Sequence, residues 1–97
     1  MANKIKNLFF GMVNSPEIPL NQYSLKSLEL WLKNLGAIPD NDNPSRWILK
    51  HSNWEAIINF EQEDLFIIWN CEGQITKRMF SYGINRADVE NAIMQGP

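Results

Sequence analysis

One cysteine and one histidine in 97 residues leave little for thiol, imidazole or transition-metal chemistry. Cys71 has no second thiol to bridge with, and no Cys or His pair stands at zinc-ligand spacing, which fits a reducing, cytosol-like compartment. It falls in a turn beside Glu72, whose charge opposes the thiolate a reactive cysteine needs. His51 has no nucleophile or carboxylate spaced to make it a general base, so it reads as an edge or turn histidine. The carboxylates of "FEQED" and "PDND" lack EF-hand spacing and read as solvated turns. There is no phosphate-cradling glycine loop, no CxxC and no GxSxG. The expectation is therefore a non-enzyme with no cofactor and no bound metal.

Positive charge is scarce too. Nine Lys and Arg against eleven Asp and Glu give a net charge of −2, whereas a general nucleic-acid binder needs a basic stripe to neutralise phosphates. No apolar run approaches the roughly 20 residues of a membrane-spanning helix. The opening "MANKIKNLFFGMVNSPEIP" places two lysines before a short apolar run but lacks a small-x-small cleavage site, and reads as part of the mature chain.

What the chain has is aromatic bulk: four Trp and five Phe, enough to build one aromatic-rich core and leave apolar surface over. The length allows one such core. We divide the chain into an N-terminal segment, 1–18, and an α+β domain, 19–97. Pro16 and Pro19 bracket the extended stretch between them.

The first helix is "SLKSLELWLKNLGA". Ser24 is its N-cap, Gly36 its left-handed stop, and Leu25, Leu28, Leu32 and Leu35 form one buried stripe widened by Trp31. Lys26, Glu29 and Lys33 mark the wet side, with a Glu29–Lys33 pair four residues apart. "IPDNDNPS" is dense in turn formers and reads as a loop. Strands follow near 46–51, 54–60 and 65–70, and "ITKRMFSY" forms another after the "CEGQ" turn. "NRADVENAIM" closes the fold as a helix capped by Asn85, with Asp88 in its first turn and Val89, Ala92 and Ile93 inward. This order predicts helix, a three- to four-stranded antiparallel β-meander, helix, with both helices on one sheet face.

The pattern also sets a register. With Gln62 and Glu63 at the hairpin tip, Phe60 faces Leu65, Ile58 faces Ile67 and Ala56 faces Trp69 on the core side, together with Trp54. The other face then carries Ile57 opposite Ile68 and Asn59 opposite Phe66, continued by Ile75, Lys77 and Met79. Two helices cover one face of a small sheet, so this half-apolar second face must be solvated, covered by the N-terminal segment, or buried in a partner.

Residues Ile5, Leu8, Phe9, Phe10, Met12 and Val13 offer an internal cover. Lys4 and Lys6 beside Leu-Phe-Phe offer instead a weak membrane-surface contact through residues 4–13. The docking reading places a protein partner on Ile57, Phe66, Ile68, Met79 and Lys77, with the chain a monomer or weak homodimer. An alternative is RNA: the order of elements loosely matches double-stranded-RNA-binding domains, and Lys77 and Arg78 make one basic spot. Against it, the last helix has one Arg and two acids where that fold presents lysines. Arg78 also falls on the core side of the register, where Asp88 or Glu90 can pair with it.

The runs "PLNQYSLKSLELWLKNLGA", "NWEA", "RMFSYGINRADVENAI" and the closing "GP" resemble a small family of uncharacterised proteins, a domain of unknown function, of the cyanobacterial and plastid lineage. The resemblance covers about residues 19–97. It rests on Pro19 and Leu20, on Glu29, Trp31, Leu32 and Lys33, and on Trp54, Glu55 and Ala56. Arg78, Phe80, Tyr82, Asp88, Glu90, Gly96 and Pro97 complete it. Where that family has an aromatic and a histidine after Pro-Leu, this chain has Asn21 and Tyr23, which removes a histidine that chemistry could have used. The resemblance implies no activity; it implies a setting, the cytoplasm or plastid stroma of a phototroph, and a small accessory or assembly protein.

Overall fold

The structure, a computed structural model, describes residues 17–97. The internal cover and the membrane contact expected of the N-terminal segment fall on residues outside that range. The described chain begins with a single 3₁₀ turn, Leu20–Gln22, followed by helix α1, Leu25–Leu35. Five strands come next: β1 Ile38–Pro39, β2 Arg46–Lys50, β3 Glu55–Phe60, β4 Asp64–Cys71 and β5 Gln74–Ser81. Helix α2, Arg86–Gln95, completes the fold. Two helices and one antiparallel sheet make this an α+β protein, as the pattern predicts.

Both helices start where their caps dictate. Ser24 accepts from the backbone N–H of Ser27, and Asn85 from that of Asp88, each satisfying an otherwise orphaned donor. Gly36 ends α1 at a φ of 100°. The buried stripe of α1 is Leu28, Trp31 and Leu32, with Leu35 partly covered. Leu25 departs from expectation at 61% exposed; it is the first helical residue, ahead of the turn that meets the sheet. Glu29, half-buried, and Lys33, exposed, make no ion pair, since such a pair at a helix surface gains little.

The sheet runs β1-β2-β3-β4-β5, each strand beside its neighbour in sequence. The β3–β4 register is the predicted one, with Phe60 on Leu65, Ile58 on Ile67 and Ala56 on Trp69. Cys71 pairs with Gln74, so Glu72 and Gly73 alone make the β4–β5 turn, both at positive φ (53° and 86°), which matches the twist of a two-residue hairpin.

Five strands stand where three to four were expected. The addition is β1, inside the stretch read as loop: Ile38 pairs with Ile48 and Pro39 with Trp47. The turn formers beyond it bring the chain back. Asp40 Oδ1 accepts from the N–H of Asp42, Asn43 Oδ1 from that of Ser45, and Arg46 pairs with Asp40 at 3.5 Å.

All the buried sheet residues share one side. Trp47, Leu49, Ala56, Ile58, Leu65, Ile67, Trp69 and Phe80 pack with Trp54 under Leu28, Trp31 and Leu32 of α1 and Val89 and Ile93 of α2. Trp69, wholly buried, donates its indole N–H to the carbonyl of Ile93 at 3.3 Å, fixing α2 to the sheet. Trp31 donates to Glu90 Oε1 at 2.7 Å, fixing the helices to each other. That bond engages Glu90, one of the two carboxylates expected to meet Arg78, and neither Glu90 nor Asp88 forms an ion pair with it. Arg78 instead lies exposed with its guanidinium 4.7 Å from the Phe80 ring centroid.

The stretch before α1 closes against the one before α2. Leu20 N–H donates to Ile84 O at 3.0 Å, Asn21 N–H to Tyr82 O at 2.9 Å and Arg86 N–H to Ile18 O at 3.1 Å. Leu20 is thereby buried to 1%.

Candidate docking surface

Strand alternation gives the sheet a second side that no described helix covers. Cross-strand pairing lines up Ile38, Ile48, Ile57 and Ile68 side by side over four strands, and the row ends on β5 at Lys77. The next row runs Arg46, Asn59, Phe66, Met79. A third, Lys50, Glu55, Asn70, Ile75, makes the rim. Thus the five residues singled out from sequence, Ile57, Phe66, Ile68, Lys77 and Met79, share one face and two adjacent rows.

Their exposure differs across the sheet. Ile57, Ile68 and Phe66 are half-covered by their flanking strands, while Ile38 at one edge and Met79 at the other are 63% and 67% exposed. Polar groups sit at the margins. Arg46 Nε donates to Asn59 Oδ1 at 3.3 Å, and Asn70 Oδ1 accepts from Gly73 N–H at 2.9 Å, so both amide side chains of these rows are already engaged. Lys77 is exposed at the end of the isoleucine row. The surface offers an apolar band with the Lys77 cation at one end.

Sequence reasoning missed two members of the row. Ile48 was within reach, because "RWILK" alternates and its register follows from that of β3. Ile38 was not, since a two-residue strand carries no periodicity.

The remaining candidates are placed elsewhere. His51 stacks on Trp54 with ring centroids 4.5 Å apart and planes 5° from parallel, and its Nδ1 lies 3.3 Å from Ser52 Oγ. Gly96 meets the same indole, its backbone so near that a Cβ there would stand 2.9 Å from Trp54 Cδ1. His51 is therefore a packing partner of the core's edge. Cys71 Sγ donates to the carbonyl of Asn53 at 3.2 Å.

An apolar cleft of about 310 Å³ opens between the 3₁₀ turn and the β3–β4 hairpin, lined by Leu20, Tyr23, Leu25, Leu28, Phe60 and Tyr82. The Tyr82 hydroxyl donates to Glu61 O at 2.6 Å. Burial raises the pKa of both tyrosines; Glu61 and Asp64 raise that of Tyr82 further, while Arg86 pulls that of Tyr23 back.

Among the described residues, a five-stranded antiparallel meander carries two helices on one side and an apolar band left uncovered on the other, a small scaffold with an open sheet face. Residues 35–96 match the family described as protein of unknown function DUF3143, and the chain belongs to that family. No curated protein and no solved structure matched it. The family match starts later than residue 19: it holds the whole sheet and α2, and leaves nearly all of α1 outside.

Proposed function

We propose that this protein is a non-enzymatic interaction module that docks a protein partner on the open sheet face, through Ile57, Ile68, Phe66 and Met79 with Lys77 at the margin. The observation that supports the reading is the isoleucine row, which crosses four strands on the side away from both helices. Five strands about 4.8 Å apart and some six residues long make a footprint of roughly 400 Å². That is about half of what one partner contributes to a standard stable interface. The complex is accordingly weak, or extends over the rim at Lys50 and Glu55. The setting that fits is that of a small accessory or assembly protein in the cytoplasm or plastid stroma, with the free chain a monomer or weak homodimer.

RNA binding is the weaker alternative. Lys77 and Arg78 project to opposite faces of β5, and α2 offers Arg86 beside Asp88 and Glu90, so the described residues make no continuous basic surface. The test is affinity capture from native lysate with the wild type, Phe66→Glu/Ile68→Lys, and Lys33→Glu on the helical side. The same species caught by the wild type and by Lys33→Glu but not by the double variant is the expected result. Equal capture by all three, with each folded by circular dichroism, refutes the sheet face as the docking surface. A salt-dependent shift of duplex RNA by the wild type would turn the assignment to RNA.

A further inference from the structure

A second cleft, of about 270 Å³, lies on the helical side, away from the open sheet face. One stripe of α1 forms its wall, Ser27, Leu30, Trp31 and Asn34, at the i, i+3, i+4, i+7 positions of a single helix face. Arg86, the first residue of α2, lines it from the other helix.

Among the described residues Arg86 is a cation without an ion-pair partner. Its Nε is buried and has no hydrogen-bond partner, and its guanidinium carbon lies 5.3 Å from the Tyr23 ring centroid. Among the described residues no carboxylate forms an ion pair with it. Glu90, one turn further along α2, accepts at Oε1 from the Trp31 indole N–H instead. The sixteen residues before Glu17 contain no Asp and no Glu, so that segment has no acidic side chain to offer. A guanidinium stays charged at every relevant pH, and a partly desolvated one favours a hydrogen-bonding anion.

The neighbours sharpen the anion's identity. Ser27 Oγ accepts from Ser24 Oγ at 2.9 Å, which leaves its own hydroxyl proton free to donate. Asn34 brings an amide with two donors. One planar fork and two neutral donors balance a single negative charge, whereas a phosphate dianion would call for a second cation. Leu30, 52% exposed, and Trp31 supply apolar wall beside those donors.

We infer that this cleft binds a carboxylate carried on an apolar body, the guanidinium of Arg86 taking the carboxylate and Leu30 and Trp31 taking the body. The carboxylate can come from a small organic acid or from the terminus of a peptide chain, and the two sources are separable. The experiment is a titration of the ¹⁵N-labelled full chain at fixed ionic strength, following the Trp31 indole and Asn34 side-chain signals. The probes are phenylacetate, N-acetyl-phenylalanine, its neutral amide, and inorganic phosphate.

Saturable shifts are expected with the carboxylates and not with the amide or with phosphate. Tighter binding of phenylacetate assigns the small acid, tighter binding of N-acetyl-phenylalanine the chain terminus. Arg86→Gln should abolish the shifts, and Arg86→Lys, which keeps the charge and loses the fork, should weaken binding about tenfold. Asn34→Asp changes an exposed helix position and should also abolish them, which keeps the test decisive if the Arg86 variants fold poorly. Absence of saturation in the wild type, equal shifts with the neutral amide, or full binding by Arg86→Gln would overturn the inference.

Discussion

Gly96 and Tyr82 show how much single residues carry at the margins of this core. Gly96 has a φ of 81° and lies against Trp54, the ring on which His51 stacks. Gly96→Ala adds a strained backbone and a clash together, and should destabilise by at least about 1 kcal/mol. The loss reads out as a lower urea midpoint, and it should shrink in a Trp54→Ala background, where only the backbone part remains. Tyr82 predicts a pH effect. Because burial, Glu61 and Asp64 raise its folded-state pKa, the unfolded chain loses the phenolic proton first. Stability is therefore fully present below the ordinary tyrosine value of about 10 and falls as pH rises past it. Urea midpoints measured from pH 8 to 11 should drop less steeply for Tyr82→Phe than for the wild type, with Tyr23 supplying what slope remains.

At the scale of elements, the two helices are coupled through the 2.7 Å bond between Trp31 and Glu90. A double-mutant cycle of Trp31→Phe and Glu90→Ala should give a coupling energy of about 1 to 2 kcal/mol, from denaturant melts of the four proteins. The extents of the helices and of the four longer strands were legible from a helical stripe in α1, alternation in β2 and β3, the apolar run of β4, and chemical ends at Ser24, Gly36, Gly73 and Asn85. The register across Ile57 and Ile68 followed from a turn placed at Gln62 and Glu63. What stayed hidden was what depends on a partner distant in sequence. Ile38 and Pro39 become a strand only because Ile48 and Trp47 lie beside them. The cleft at Arg86 exists only because α2 begins against one stripe of α1. Of its four α1 residues, sequence assigns Trp31 to the buried stripe and gives Ser27, Leu30 and Asn34 no role.

Across the whole molecule, both edges of the sheet are defended. β1 is two residues long and includes Pro39, and β5 places Lys77 and Arg78 mid-strand, so edge-to-edge pairing of copies is disfavoured. The proposed docking then falls to the sheet face and not to its edges, and capture by the wild type but not by Phe66→Glu/Ile68→Lys tests it at this scale. The order of strands has a consequence for how the chain reaches its structure. Each strand adds beside the one just made, so the sheet can zip up by a series of short loop closures. The contacts of Leu20 and Asn21 with Ile84 and Tyr82 span most of the chain and carry the largest closure entropy. They belong on the native side of the folding barrier. In stopped-flow chevrons Ile58→Val should chiefly slow folding, with a φ-value above about 0.5, while Leu20→Ala should chiefly speed unfolding, with a φ-value near zero. The two ends of the fold thus act as a latch that sets how long the native state lasts, apart from how fast it forms.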